Sequence, residues 1–453
     1  MEERLQKVLD YIEAHREEYI SLLVRFCQQP SLANTGEGIR EMADMVMEEL
    51  KKLGAGPQMF ETGGSPFVYG EIKGEADRTF GFYDHYDVQP VDPIDEWLSD
   101  PFAAEIRDGV IYARGVADNK DGLVTRLCAV DAWQKVHGEL PLNVKFCFEG
   151  EEEIGSPHLA GFAKEHPDLI ACDGYVWEGG NREPGGPAEI TMGVKGLLYV
   201  ELFSKVSEKD AHSMYAAIEP SAAWRLVQAL NTLKDRDGRI LIDGFYDGIK
   251  PVSEQEREML KTDVFNEGEV KKILGIDRFI DDKHGEELLT ALYYQPTCNI
   301  CGITAGYQGD GSKTVLPGRA SCKIDFRLVP GQDPDRILEL LRTHLDAHGF
   351  GDIEIMCHSG CKAFRSDLNS PFCKAVIRTM EKLFDEQPCV QCTSGGTSPM
   401  YAFCAETNIP ASMFGASSES ANIHAPNEHL AVDAFIDMIR ITATMMHEFA
   451  VQE

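Results

Sequence analysis

Between residues 66 and 148 the chain alternates between two kinds of segment, and few architectures accept that alternation. Apolar, strand-like runs fall at 66–73, 79–88 and 142–148. A helical pattern at 121–137, carrying Leu123, Leu127 and Val130 and ended by Gly138, joins the last two. Strands connected through a helix lie parallel in one sheet, because a tight hairpin leaves no room for the crossover. A further helix is expected at 36–53, where Ile39, Ala43, Val46, Leu50 and Leu53 recur at helical spacing before Gly54 stops it.

From about residue 193 the texture changes. "KGLLYVELFSKV" and "RASCKIDFRLVP" alternate polar and apolar residues, as half-exposed strands do. Helices are expected beside them at 219–234 and 333–348, the latter with Asp333-Pro334 as cap and first residue. The acidic stretch 235–290 reads as an insertion of mixed structure, and helix patterns return at 370–386 and 430–449. A chain of 453 residues is too long for one ordinary core. The expected fold is therefore α/β, a mostly parallel-sheet domain built from 1–192 and 366–453, with a smaller α+β domain inserted at 193–365.

The net charge of −32 argues against nucleic acid or an anionic membrane as partner. The charged, amphipathic start "MEERLQKVLDYIEAHREEYI" has no apolar core of a secretory signal, and no run approaches the roughly 18 apolar residues of a membrane span. Thirteen cysteines in a long chain read as reduced thiols of a cytoplasmic protein. The pairs Cys298/Cys301 and Cys389/Cys392 have zinc-site spacing. In strand-like stretches, however, positions three apart face opposite ways, so the reading preferred is plain buried thiols.

Polar clusters interrupt the ends of the apolar runs. "GFYDHYDVQP" places His85 and Asp87 two residues apart, on one face of a strand at its mouth. "ARGVADNKDG" puts Asp118 in the loop before the helix at 121, and "FEGEEEIGS" sets Glu149, Glu151, Glu152 and Glu153 directly after a strand. Glu178 ends a short apolar run in "YVWEGGN", and "ANIHAPNEHL" supplies His424. Ligands bind beyond the carboxyl ends of strands in open α/β sheets, so these loops can converge. Crowded carboxylates repel unless cations neutralise them, and imidazoles mixed with carboxylates suit zinc or manganese. Spacing alone leaves that reading and a solvated acidic loop both open.

Five segments in order, "DHYDVQP", "ARGVADNKDG", "EEIGS", "KDAHSMYAA" and "GGTSP…NIHAPNE", resemble the motifs of the M20 family of co-catalytic metallopeptidases, in particular its carnosinase-like cytosolic dipeptidases. They span residues 84–428. The resemblance implies two divalent metal ions per subunit, zinc first, with manganese or cobalt as alternatives. His85, Asp118 and Glu178 would hold one ion, and Glu153, His424 and the bridging Asp118 the other. Asp87 would orient His85, and Glu152 would be the general base, since Gly155-Ser156 sets the register of the glutamates. His212 would stabilise the oxyanion in the active site of the other subunit of a homodimer, which makes the inserted domain a lid and dimerisation domain. Arg327 would grip a substrate carboxylate, with Gly396 and Thr397 beside the substrate, threonine replacing the family's serine. The resemblance also implies a cis peptide at Asp118–Asn119.

Two departures bear on the substrate: Asp121 stands where the dipeptidases have glycine, and Glu178 where the carnosinase-like branch has aspartate. The implied activity is hydrolysis of dipeptides or short peptides with a free C-terminal carboxylate. The alternative is an N-acyl-amino-acid amidohydrolase, which Glu178 keeps open. A non-catalytic binding protein on the same fold would have lost a ligand or the base, and none is lost.

Overall fold

The computed structural model describes residues 2–452 apart from 184–185, 416 and 419. Its larger sheet has eight strands, in the order Gln58–Phe60, Phe67–Ile72, Leu142–Glu149, Ala76–His85, Gly174–Trp177, Ala411–Met413, Glu189–Thr191, Cys389–Gln391. The four central strands run parallel to one another, as does the outermost pair at the far edge. The remaining contacts are antiparallel, so the sheet is parallel at its centre and mixed overall. The helix Lys120–His137 supplies the crossover between Ala76–His85 and Leu142–Glu149, and Gly138 ends it at φ 79°.

That helix is buried nearly all round, which explains why its sequence lacks a clean polar stripe. It is sandwiched between the sheet and the C-terminal helix Val432–Val451, where Trp133 donates to the carbonyl of Ala443. The first helix near the sheet runs Ile39–Lys52, with Gly38 at its start held at φ 73°. A Cβ there would lie 2.1 Å from the carbonyl oxygen of Pro30, so the turn admits glycine alone.

A second sheet is wholly antiparallel, in the order Asn299–Ala305, Arg319–Leu328, Gly196–Lys205, Glu354–Cys361. The alternation seen in "KGLLYVELFSKV" becomes strict alternation of burial along Gly196–Lys205. The buried residues Leu198, Val200 and Leu202 meet the helices Ala222–Leu233 and Pro334–Ala347 in a core of their own. Both helices are capped by side chains, Ser221 accepting from Trp224 N and Asp333 from Asp335 and Arg336 N.

The acidic stretch forms the helices Glu254–Leu260, Glu267–Leu274 and Gly285–Tyr294. Leu260, Leu289, Tyr293 and Tyr294 join the core of the larger sheet. They cover its edge strand Cys389–Gln391, where Thr262 Oγ1 accepts from Val390 N. An edge left open would present unpaired backbone groups. The cysteines are all unpaired, with Cys298, Cys389 and Cys392 buried and Cys301 exposed.

Candidate active site

The four central strands end at the same edge of the larger sheet, and the polar clusters follow those ends. His85 is the last residue of its strand, Glu149 of the next, and Glu178 follows Trp177. The loop after Ala411–Met413 carries His424, whose backbone sits at φ 63°. Asp118 comes from the loop that leads into Lys120–His137, and its peptide bond to Asn119 is cis.

Two groups of ligand atoms result, each mutually within 4.8 Å: His85, Asp118 and Glu178, and Asp118, Glu153 and His424. Asp118 is common to both. Its Oδ1 lies 3.1 Å from His85 Nε2 and its Oδ2 lies 3.0 Å from His424 Nε2. His424 Nε2 is also 3.2 Å from Glu153 Oε2. Among the described residues no metal-capable group contains a cysteine.

Asp87 does more than face His85. The Nδ1 of His85 lies 3.0 Å from the main-chain carbonyl of Asp87 and 3.4 Å from its carboxylate. The carboxylate instead accepts from the backbone N–H of Glu152 at 3.3 Å and of Glu153 at 3.0 Å. One aspartate therefore ties the strand end to the glutamate turn. Gln89, in the same motif, donates to Glu153 Oε2 at 2.9 Å.

Glu428 was not singled out by the sequence, although the "NIHAPNE" segment contains it. One carboxylate oxygen accepts from Arg114 at 2.6 Å and Gly115 N at 2.9 Å, and the other from Ala117 N at 2.9 Å and Asp118 N at 3.2 Å. It is fully buried and joins the loop of His424 to the loop of Asp118.

The electrostatics are those of crowded acids. Burial pushes Glu152 up to about 8, with Asp118 and Glu153 adding to the shift. Burial and then the neighbouring Glu152 push Glu178 well above the usual carboxylate range. Burial alone would also raise Asp118, but the hydrogen bonds from His424 and His85 hold it below its ordinary value. Hydrogen bonds to Asp118 and Glu153 carry His424 up to about 10. Divalent cations fit this donor set, because two imidazole nitrogens and carboxylate oxygens converge where extra positive charge relieves repulsion. The departure at Asp121 lies in the first turn of Lys120–His137, buried and pushed up to about 7 by that burial.

The profile of "Peptidase family M20/M25/M40" matches residues 81–448. The chain belongs to that family. The peptidase is 32% identical to the human "Beta-Ala-His dipeptidase" over 76% of its own length and 71% of the relative's. To the "Cys-Gly metallodipeptidase DUG1" of Candida albicans it is 26% identical over 98% and 97% of the two chains. Among solved structures, the M20 family metallo-carboxypeptidase Sso-CP2 from Sulfolobus solfataricus superposes with a TM-score of 0.88. The two chains are 40% identical, and 96% of this one and 99% of that one are covered.

The remaining residues that the sequence pointed to lie elsewhere in the peptidase. His212 is exposed in the short pairing Ala211–His212 with Val315–Leu316, and its Nδ1 accepts from Met214 N at 3.0 Å. It joins neither ligand group. Arg327 lies on the second sheet, opposite Leu197, and reaches across to the 394–397 loop, where its Nη1 donates to Thr397 Oγ1 at 2.8 Å. Gly396 accepts from Lys195 N through its carbonyl at 2.8 Å.

Proposed function

We propose that this peptidase is a cytoplasmic dinuclear metallodipeptidase acting on dipeptides or short peptides with a free C-terminal carboxylate. The observation that carries the reading is the pair of ligand groups sharing Asp118, with Glu152 held beside them by Asp87. Names of the relatives, a Beta-Ala-His and a Cys-Gly dipeptidase, support the substrate class. Thirteen unpaired cysteines suit a reducing compartment, and no helix among the described residues is long and apolar enough to cross a membrane.

His85, Asp118 and Glu178 would hold one divalent ion and Asp118, Glu153 and His424 the other, with zinc first and manganese or cobalt as alternatives. Bound there, such ions supply polarisation of the scissile carbonyl and a water of lowered pKa. The chain's own groups do the rest. Glu152 takes the proton of the attacking water and passes it to the leaving amine. Arg327, with its planar fork of donors, and Thr397 with Gly396 receive the substrate's carboxylate. His212, exposed on the inserted lid domain at 193–365, stabilises the oxyanion in the partner's site of a homodimer.

The test is turnover of a panel of dipeptides, longer peptides and N-acetyl amino acids with zinc or manganese added. Dipeptides are expected to be cleaved, and Glu152→Gln to lower kcat by about 10²–10⁴-fold. Cleavage of acylated amino acids alone would overturn the dipeptidase reading. Glu178 and the likeness to Sso-CP2 favour a second reading, removal of C-terminal residues from longer peptides, which the same panel scores.

A further inference from the structure

The 394–397 loop and the arginine that reaches it are backed by a buried cation that neither the sequence motifs nor the mechanism uses. Lys195 is 2% exposed. Its ammonium donates to the carbonyls of Leu292 at 2.6 Å and Gln295 at 2.7 Å, at the C-terminal end of the helix Gly285–Tyr294. A lysine capping a helix C-terminus is a sufficient structural role. Three further observations go beyond it.

The first is connectivity. The backbone N–H of Lys195 donates to the carbonyl of Gly396, and the next residue, Gly196, accepts from Thr397 Oγ1 at 3.4 Å. The helix end that Lys195 holds lies against the same loop, since a Cβ on Gly395 would sit 3.3 Å from Leu292. From that helix the chain runs on to Thr297, which exchanges two hydrogen bonds with the backbone of Arg327. Lys195 thus bonds both the 394–397 loop and the helix end from which the chain leads to Arg327.

The second is charge. Among the described residues Lys195 has no ion pair, and after burial the like charge of Arg327 bears on it. Arg327 has Asp325 Oδ2 at 3.8 Å, while Asp325 Oδ1 accepts from Asn299 at 2.8 Å. Of the two cations only Arg327 is paired with an acid, in a chain with 75 acidic and 43 basic residues. Like charges set together inside a protein cost free energy unless an anion joins them.

The third is direction. The loop carrying Thr397 belongs to the larger sheet's side and Arg327 to the second sheet, so the surplus positive charge lies where the two halves meet.

We infer that Lys195 is a specificity-determining positioning residue, which fixes the Gly396–Thr397 loop and adds a second positive charge behind Arg327, so that substrates ending in a free carboxylate are preferred over neutral ones. This rests on the reading that Arg327 receives that carboxylate. Lys195 itself does not touch the substrate; it acts through the loop and through its field.

The experiment compares kcat and KM for a dipeptide with a free C-terminal carboxylate and for its C-terminal amide, using the zinc-loaded enzyme. Lys195→Gln keeps a donor for the helix carbonyls and removes the charge, and Lys195→Arg keeps both. The glutamine variant is expected to raise KM for the carboxylate about tenfold, to change kcat by less than about twofold, and to leave the amide unaffected. Arginine should restore the preference. Lys195→Met, of similar length, answers the same question if the glutamine variant does not fold. An equal loss on both substrates marks a merely structural lysine and overturns the inference, as does an unchanged preference. If the wild type does not prefer the carboxylate, the anchoring role of Arg327 is wrong and the inference falls with it.

Discussion

Asp118 and Glu428 show how single side chains set the site. Asp118 stands between two histidines on opposite oxygens, and Glu428 holds the backbone that presents it. Every donor that Glu428 satisfies would be orphaned by its removal, including a buried guanidinium. Glu428→Ala is therefore expected to cost about 3–5 kcal/mol of unfolding free energy, measured in denaturant. It should also weaken metal binding, read by titrating the metal-stripped protein with zinc in a calorimeter. Undiminished zinc affinity in a folded Glu428→Ala variant would show that the loop keeps its shape without the carboxylate. His85, Asp118, Glu153, Glu178 and His424, which meet in the two groups able to hold an ion, could be picked out from motifs, because such a group needs particular donor atoms at particular loops. Glu428 and Gln89 could not, because their roles depend on which backbone N–H groups and side chains the fold brings to them.

At the scale of elements, the strand ends explain the site and the caps explain the helices. Gly138, Asp333 and Ser370 all stand where helix boundaries were expected, and each makes the local contact that ends or begins a helix. The insertion was opaque by comparison. Its helix Glu254–Leu260 begins with a capping box in which Ser253 and Glu256 exchange bonds, and Glu256 also meets Arg365 at 3.0 Å. Local capping is written in neighbouring residues, whereas the ion pair joins positions far apart in sequence. Ser253→Ala should cost about 1 kcal/mol in thermal or chemical unfolding. Glu256→Ala removes both its bond from Ser253 N and the pairing to Arg365, so it is expected to cost more than the serine change. A smaller cost would show that the pair adds nothing to the fold.

At the scale of the whole molecule, two linkages govern stability. Ligand groups that crowd carboxylates gain from cations, so chelation should lower the melting temperature and added zinc or manganese restore it. At a free metal concentration about 1,000-fold above Kd the stabilisation approaches about 4 kcal/mol, and a melting temperature indifferent to chelator would contradict a metal-filled site. The second linkage is acid sensitivity away from the site. Burial pushes His344 and His447 below the usual histidine value. The unfolded chain then takes up protons near pH 6.5 that the fold resists, so stability falls as the pH drops through that value. His344, bonded to Thr232 at 3.0 Å with its ring 4.0 Å from that of His348, is the one to replace. His344→Gln should flatten the pH dependence of the denaturation midpoint between about pH 7 and 5.

The sequence by itself determined the alternation that makes a parallel sheet centre, the helix boundaries, and the residue types able to hold cations at the strand ends. These are local properties, set by periodicity, capping and donor chemistry within a few residues. Only the tertiary structure decided that Glu428 holds the Asp118 loop, that Asp87 binds the glutamate turn through its carboxylate, and that the acidic stretch closes an open sheet edge. It alone placed Lys195 behind Arg327. Those outcomes depend on groups up to hundreds of residues apart meeting in a dry interior, where an unpaired charge or an unsatisfied N–H is costly enough to select one arrangement.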